Sequence, residues 1–204
     1  MTNRPQDECK RPYSLGLRRE KSDSKRAAIL AEARVQLEQG GLNGFSLEAL
    51  SRAGGITRQT VYNLFGTRTG LLEALFDQIA IDGGMERMRE VMQQPNSQAI
   101  LSAFGEVFCI FWSRHRTLLR RIHGIAAIDP EFGRVVEARN QRRLVAATRV
   151  VQRLGKGGEG KSRMLAAALY SLTSFEFFDA LVTALDSEAE AVAEIQRLLV
   201  ASAA

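Results

Sequence analysis

The chain has 204 residues, 45% hydrophobic and 25% charged, with 2 cysteines, 4 prolines and a formal net charge of +5; that suits one or two globular domains with a sizeable core. It excludes a disulfide scaffold and a helix that spans a membrane, because no apolar run approaches the roughly eighteen residues a span needs. The positive charge is unevenly placed: residues 1–70 hold 12 Lys/Arg against 7 Asp/Glu and residues 71–204 hold 16 against 16, so the first third either meets a polyanion or ends in a basic tail with no partner.

No β alternation is visible, and an all-α fold is expected. Residues 1–21 are polar with scattered arginines and read as a mobile basic arm. They contain no apolar stretch of the kind a secretory signal needs, so a cytoplasmic location is expected. Cys9 and Cys109 lack metal-ligand spacing and should stay reduced there. A first helix is expected from about Ser22 to Gln39, with Ile29, Leu30, Ala33 and Leu37 on its apolar side and Gly40-Gly41 as its stop. Ser46 stands as N-cap before "LEALSRA", and Gly54-Gly55 breaks that short helix. Thr57 caps "RQTVYNLF", which Gly66 ends, and Thr67 caps "RTGLLEALFDQIAI", which runs to Gly83-Gly84. These elements define a compact unit over residues 22–82.

A larger helical domain is expected over residues 83–204. Ser97 opens "QAILSAFGEVFCIFWSRH", and a separate helix, "RTLLRRIHGIAAI", follows. Asp129-Pro130 is a cap with proline at the first helical position, before "EFGRVVEARNQRRLVAATRVVQRL". The last two helices are "SRMLAAALYSLTSFEFFDALVTAL" and "EAEAVAEIQRLLVA".

Between them lies "GKGGEGKS", residues 155–162, which matches the phosphate-cradling pattern of nucleotide hydrolases. That chemistry needs a buried strand before the glycines and a parallel sheet around them. Here the preceding segment spreads Arg142, Arg143, Arg149 and Arg153 at helical spacing. Only 42 residues follow Ser162, too few for the rest of such a sheet. The segment reads as a linker between helices, and no enzyme activity, cofactor or metal is expected.

Residues 46–72 carry the chemistry. Two short helices joined by a glycine turn form the arrangement that lets one helix enter the major groove of double-stranded DNA, where base edges present a full donor and acceptor code. On the second helix Arg58 can fork onto guanine, Gln59 onto adenine, Thr60 can touch a thymine methyl or a phosphate, and Asn63 is polar and within reach. Tyr62 sits near the rim, where a phenol can meet a phosphate. Thr67 and Arg68 open the next helix, whose N-terminal amides and guanidinium make an anion site. Ile56, Val61, Leu64 and Phe65 should face inward onto Leu47 and Leu50. Arg18, Arg19 and Lys21 either dip into the minor groove or belong to a tail without contacts.

The stretch "AILAEARVQLEQGGLNGFSLEALSRAGGITRQTVYNLFGTRTGLLEAL" resembles the N-terminal helix-turn-helix domain of the TetR family of transcriptional regulators. Gly41, Ser46, Gly55-Ile56-Thr57, Val61-Tyr62, Phe65, Thr67-Arg68 and Leu71-Leu72 stand where that family's pattern requires them, without gaps. Leu64 departs from a position often His or Tyr, Arg68 replaces a usual lysine, and Gly54 stands where Ala is commoner. Gly70, in the first turn of a helix, costs about 1 kcal/mol relative to Ala for no reason legible in the sequence. The resemblance implies a three-helix DNA-binding domain, with Ser46, Thr57, Arg58, Gln59, Thr60, Tyr62, Asn63, Thr67 and Arg68 at the DNA. It also implies a helical C-terminal domain that binds a small-molecule effector and forms a homodimer through its last two helices. The protein is then a repressor that the effector releases from a palindromic operator.

Two residue patterns are compatible with that domain. Leu165, Leu169, Leu172, Phe175, Phe178, Leu181 and Leu185 give one helix more apolar surface than a lone amphipathic face needs. Phe104, Phe108, Phe111 and His115 form a stripe beside Trp112, which reads as core or as the wall of a pocket. With His123 and Phe175 they are the candidate ligand residues, for an apolar or aromatic effector. The arginine-rich stretches 114–121 and 134–153 are either a second nucleic-acid surface or solvated faces; Glu131, Glu137 and the neutral total charge of residues 71–204 favour solvated faces.

Overall fold

The computed structural model describes residues 11–39, 46–155 and 158–203, and all regular structure among them is helical. The helices are α1 (Arg11–Gln39), α2 (Leu47–Ala53), α3 (Arg58–Phe65) and α4 (Arg68–Asp82). A 3-10 turn, Met85–Arg87, leads into α5 (Met88–Val91); then come α6 (Ser97–Ala126), α7 (Pro130–Leu154), α8 (Glu159–Leu172), α9 (Phe175–Leu185) and α10 (Glu188–Ser202).

Most starts follow from a side-chain oxygen that accepts from an otherwise unpaired backbone N–H. Ser46 Oγ accepts from Ala49, Thr57 Oγ1 from Thr60 and Thr67 Oγ1 from Gly70. Asp129 accepts from both Glu131 and Phe132 ahead of Pro130, and Asn96 rather than Ser97 caps α6.

Contacts divide the chain into two units, Met1–Ala74 and Leu75–Ala204, so the division falls inside α4 rather than after residue 82. In the first unit α1, α2 and α3 pack on one another around Ile29, Ala33, Leu37, Leu50 and Val61, all buried. α1 begins at Arg11, eleven residues ahead of the expected start at Ser22. The segment expected as a mobile arm is thus helical from Arg11 onward, while residues 1–10 lie outside the described residues, as do Gly40 and Gly41. The reason is propensity: Leu, Arg, Glu and Lys are good helix formers, and Pro12 sits in the first turn where its missing N–H costs nothing. A search for an apolar stripe does not find a helix of that kind.

In the second unit α6 packs against α7, α9 and α10, and α7 lies along α8. Phe104, Leu118, Ile122, Phe132, Leu169, Phe178 and Leu199 are buried between them. The two helices expected on either side of His115 meet there at a kink within α6, where His115 takes the non-helical φ −120° and ψ 15°. One expectation needs correction: the long apolar helix expected over 162–185 is two, α8 and α9, bent by 53°. Its apolar stripe continues through the break, which hides it from periodicity. The break itself is held by polar groups: Ser174 Oγ caps α9 at Phe177 N, and the Thr173 carbonyl accepts from Trp112 Nε1 at 3.1 Å. Of the stripe, Leu169, Phe175 and Phe178 are buried, Leu165, Leu172 and Leu181 half-buried, and Leu185 is 40% exposed. Among the described residues no single helix is long and apolar enough to cross a membrane.

The stretch "GKGGEGKS" connects two helices. Gly155 closes α7 in the left-handed conformation, Gly158 precedes α8, and Lys161 and Ser162 lie in the first turns of α8, with Lys161 exposed. A helix stands where a phosphate-binding loop requires a strand. Titration with ATP and magnesium is expected to show no binding, and Lys161→Ala to leave DNA affinity unchanged. Saturable nucleotide binding lost in that variant would reverse this reading.

Candidate nucleic-acid interface and cavity

α3 is one short rod with two unlike sides. Val61 is buried, Thr60, Leu64 and Phe65 are half-buried, and Arg58, Gln59, Tyr62 and Asn63 are exposed. The turn that sets α3 off from α2 depends on Gly55 at φ +58°, a conformation a side chain would strain. Arg26 on α1 fixes the other end. Its Nη1 donates to the Leu64 carbonyl at 3.2 Å and its guanidinium lies 4.6 Å from the centre of the Phe65 ring. A cation at the C-terminal end of α3 is also favoured by the helix dipole.

The exposed polar groups pair with one another. Arg58 Nη2 lies 2.6 Å from Glu48 Oε2, Gln59 Nε2 donates to Asn63 Oδ1 at 2.9 Å, and the hydroxyls of Thr57 and Thr60 are 3.0 Å apart. Arg58 and Glu48 are more than half exposed, and such pairs contribute about 1 kcal/mol or less. They orient the side chains and exchange readily for other partners. Thr67 serves as cap of α4, and Arg68 beside it is half-buried. Ser46 acts as cap of α2 and is half-buried as well.

Gly70 acquires an explanation. A Cβ there would stand 2.1 Å from the Phe65 carbonyl oxygen, so the first turn of α4 approaches the end of α3 only because this residue has no side chain. The sequence could not show this, since the clash is with backbone across a turn.

The second unit encloses a cavity of about 310 Å³. Of the candidate ligand residues, Phe108, Phe111, Trp112 and His123 line it. Phe104, His115 and Phe175 do not; they are buried behind the wall, where Phe104 meets Phe108 edge-on and Phe175 packs on Trp112 and His123. Sequence reasoning missed Phe76, Met85 and Met88, which reach the cavity from α4 and the short helical turns after it, and the α7 group Arg139, Asn140, Arg142 and Arg143.

That last group corrects the reading of the arginines as a solvated face. Arg143 is 6% exposed. Its Nη1 donates to the Tyr170 carbonyl, its Nη2 to Asn140 Oδ1 at 3.2 Å, and its plane lies over the Tyr170 ring at 4.2 Å. Burial lowers its pKa, opposed by Tyr170 and the field of Glu176. Arg116 and Arg120 are also engaged, both on Asp179, at 2.6 and 2.8 Å.

His123 Nδ1 lies 2.9 Å from Glu176 Oε1, and this hydrogen bond holds the Glu176 carboxyl down at about 2, against an ordinary 4.5. A depressed carboxylate contributes stability that is complete above its unfolded value and lost as pH falls from about 4.5 through about 2. Glu176→Gln is therefore expected to flatten the fall of melting temperature across that window. Because Glu176 is 62% exposed, the effect should stay under about 1 kcal/mol. Parallel acid melts for the two proteins would refute the assignment. Burial pushes the Cys109 thiol up to about 12, so it is inert as a nucleophile. Among the described residues no group of three His, Cys, Asp or Glu could hold a metal.

Comparison with known proteins agrees with this architecture. Residues 29–75 match the sequence model of the bacterial regulatory proteins, tetR family. No curated protein matches the chain. NalD, the secondary repressor of the MexAB-OprM multidrug efflux pump in Pseudomonas aeruginosa, superposes with a TM-score of 0.69 at 19% identity over 90% of this chain and 97% of that one. A second NalD structure gives 0.64 at 21% identity, over 89% and 95%. A transcriptional regulator from Rhodococcus sp. Rha1 gives 0.58 at 16% identity, over 85% and 93%. Residues 29–75 thus match the tetR family of bacterial regulatory proteins, and the chain shares the helical fold of these solved structures.

Proposed function

We propose that this protein is a repressor that binds a palindromic DNA operator as a homodimer and releases it when a small apolar or aromatic effector enters the cavity. The observation that carries the reading is the capped eight-residue helix α3, with Arg58, Gln59, Tyr62 and Asn63 outward over a buried Val61. In this reading Arg58, Gln59 and Asn63 read base edges, Thr60, Tyr62, Thr67 and Arg68 meet phosphates or a thymine methyl, and Ser46 and Thr57 set the two helix starts. The exposed Arg19 and Lys21 on the early turns of α1 remain candidates for backbone or minor-groove contact. The repressor sense follows the likeness to NalD.

The homodimer is assigned to the last helices. Met164 on α8 is 74% exposed and Leu185 on α9 is 40% exposed, and burying them against a second copy supplies a reason for both. Two-fold pairing would place the recognition helices about 34 Å apart or a multiple of that. The effector acts through its differential affinity for two states, in which the course of α4 alters the spacing of the recognition helices.

Selection of bound duplexes from a random pool, at stated salt, tests the proposal. Two inverted half-sites should emerge, and light scattering should give twice the chain mass. Enrichment of no sequence at all would sink the repressor reading.

A further inference from the structure

The cavity is apolar over most of its wall, through Phe76, Met85, Met88, Phe108 and Trp112, yet α7 contributes three guanidiniums to it and no lining residue is a carboxylate. The nearby acids are already committed. Asp77 takes Arg139 at 2.6 Å and Arg142 at 4.0 Å, Glu176 takes His123, and Glu137 accepts from Gln141. Arg143 is different from the other two. It is the buried one, its described hydrogen bonds go to a neutral carbonyl and a neutral amide, and none of its contacts at ion-pair distance among the described residues is a carboxylate. Glu176 and Glu137 favour its charge through space, and the Tyr170 side chain also bonds it, but no carboxylate among the described residues meets it directly. A guanidinium does not shed its proton to escape burial, and a buried cation without a direct counter-ion is costly. An anion that arrives with its own apolar body would relieve that cost and meet the guanidinium in a forked pair.

We propose that the effector is an organic monoanion, an apolar body of aromatic or alkyl type ending in a carboxylate, and that Arg143, steadied by Asn140 and Tyr170, receives the carboxylate. This rests on the reading of the cavity as the effector site. The volume suits a molecule of one ring or a medium alkyl chain, at the small end of ligand pockets. His123, with Nδ1 turned to Glu176, lines the same space.

The chain has a single tryptophan, Trp112, and it stands in the cavity wall, so its emission reports occupancy without DNA. 4-Phenylbutyrate and octanoate, each against its own primary amide, are titrated into the full-length protein; the two acids distinguish an aromatic from an alkyl body. At least one acid should bind about ten- to a hundredfold more tightly than its amide, and the same acid should release operator DNA. In Arg143→Met that preference should collapse to about unity while the amide binds as before. Arg143→Lys, which keeps the charge but not the fork, should retain part of it. If Arg143→Met does not fold, the acid-to-amide ratio in the wild type and in Arg143→Lys decides alone. Amides that bind as tightly as acids would overturn the anion inference and leave the apolar effector standing. Binding of neither would overturn the anion inference and remove the support for the cavity as an effector site.

Discussion

Arg58→Ala is expected to weaken binding to the selected operator by about 1–3 kcal/mol per half-site, roughly five- to 150-fold, and to relax base preference at the position it contacts. The size follows from the loss of a forked pair to a base edge, whereas the contact given up in the free protein, Arg58 to Glu48, is exposed and weak. The comparison that isolates base reading is Arg68→Ala. In the proposed reading Arg68, at the start of α4, meets phosphate, so its loss should weaken all duplexes alike and reduce the salt slope by about one. Glu48→Gln supplies a third arm: without its carboxylate, affinity for every duplex should rise modestly, since Arg58 is freed and a negative charge removed. Competition assays at two salt concentrations separate the three. Should Arg58→Ala bind the selected site as tightly as wild type, base reading by that residue is wrong.

The second large effect concerns stability. Gly70→Ala replaces a poor helix former by the best one, which by propensity alone would stabilise by about 1 kcal/mol. The structure reverses the sign. A Cβ 2.1 Å from the Phe65 carbonyl oxygen cannot be accommodated by a side-chain rotation, because its neighbour is backbone. Either the turn between α3 and α4 opens or the first turn of α4 unwinds, and overpacking of this kind costs about 1–3 kcal/mol. Denaturant midpoints should drop in Gly70→Ala, with operator affinity falling as α3 loses its seat. A variant as stable as wild type would show that the close approach does not exist.

What could be read from the sequence was what is local. Ser46, Thr57, Thr67 and Asp129 announce helix starts because a cap is made within three residues. The glycine at 55 announces the turn because the conformation there is its own. The face of α3 was legible for the same reason, as Val61 inward and Arg58 outward follow from helical spacing. The rest depends on partners far along the chain. The break between α8 and α9 lies within a continuous apolar stripe and is held by Trp112, 61 residues away from Thr173. Arg143 looks like any surface arginine until Tyr170 and Asn140 close over it. Phe104 and Phe108 are one turn apart on the same helix, yet only Phe108 meets the cavity, a distinction made by neighbouring helices and not by spacing. The early turns of α1 escaped because helix propensity without an apolar side leaves no periodic trace.

Asp179 offers a different lesson. Its single carboxylate, 22% exposed, receives both Arg116 and Arg120 from α6. Deleting the acid alone strands two cations beside each other, so Asp179→Ala should be harsher than the triple replacement of all three groups by neutral residues. The order in which changes accumulate at this latch is thereby constrained: the arginines can be lost before the aspartate, and the reverse route passes through a worse intermediate.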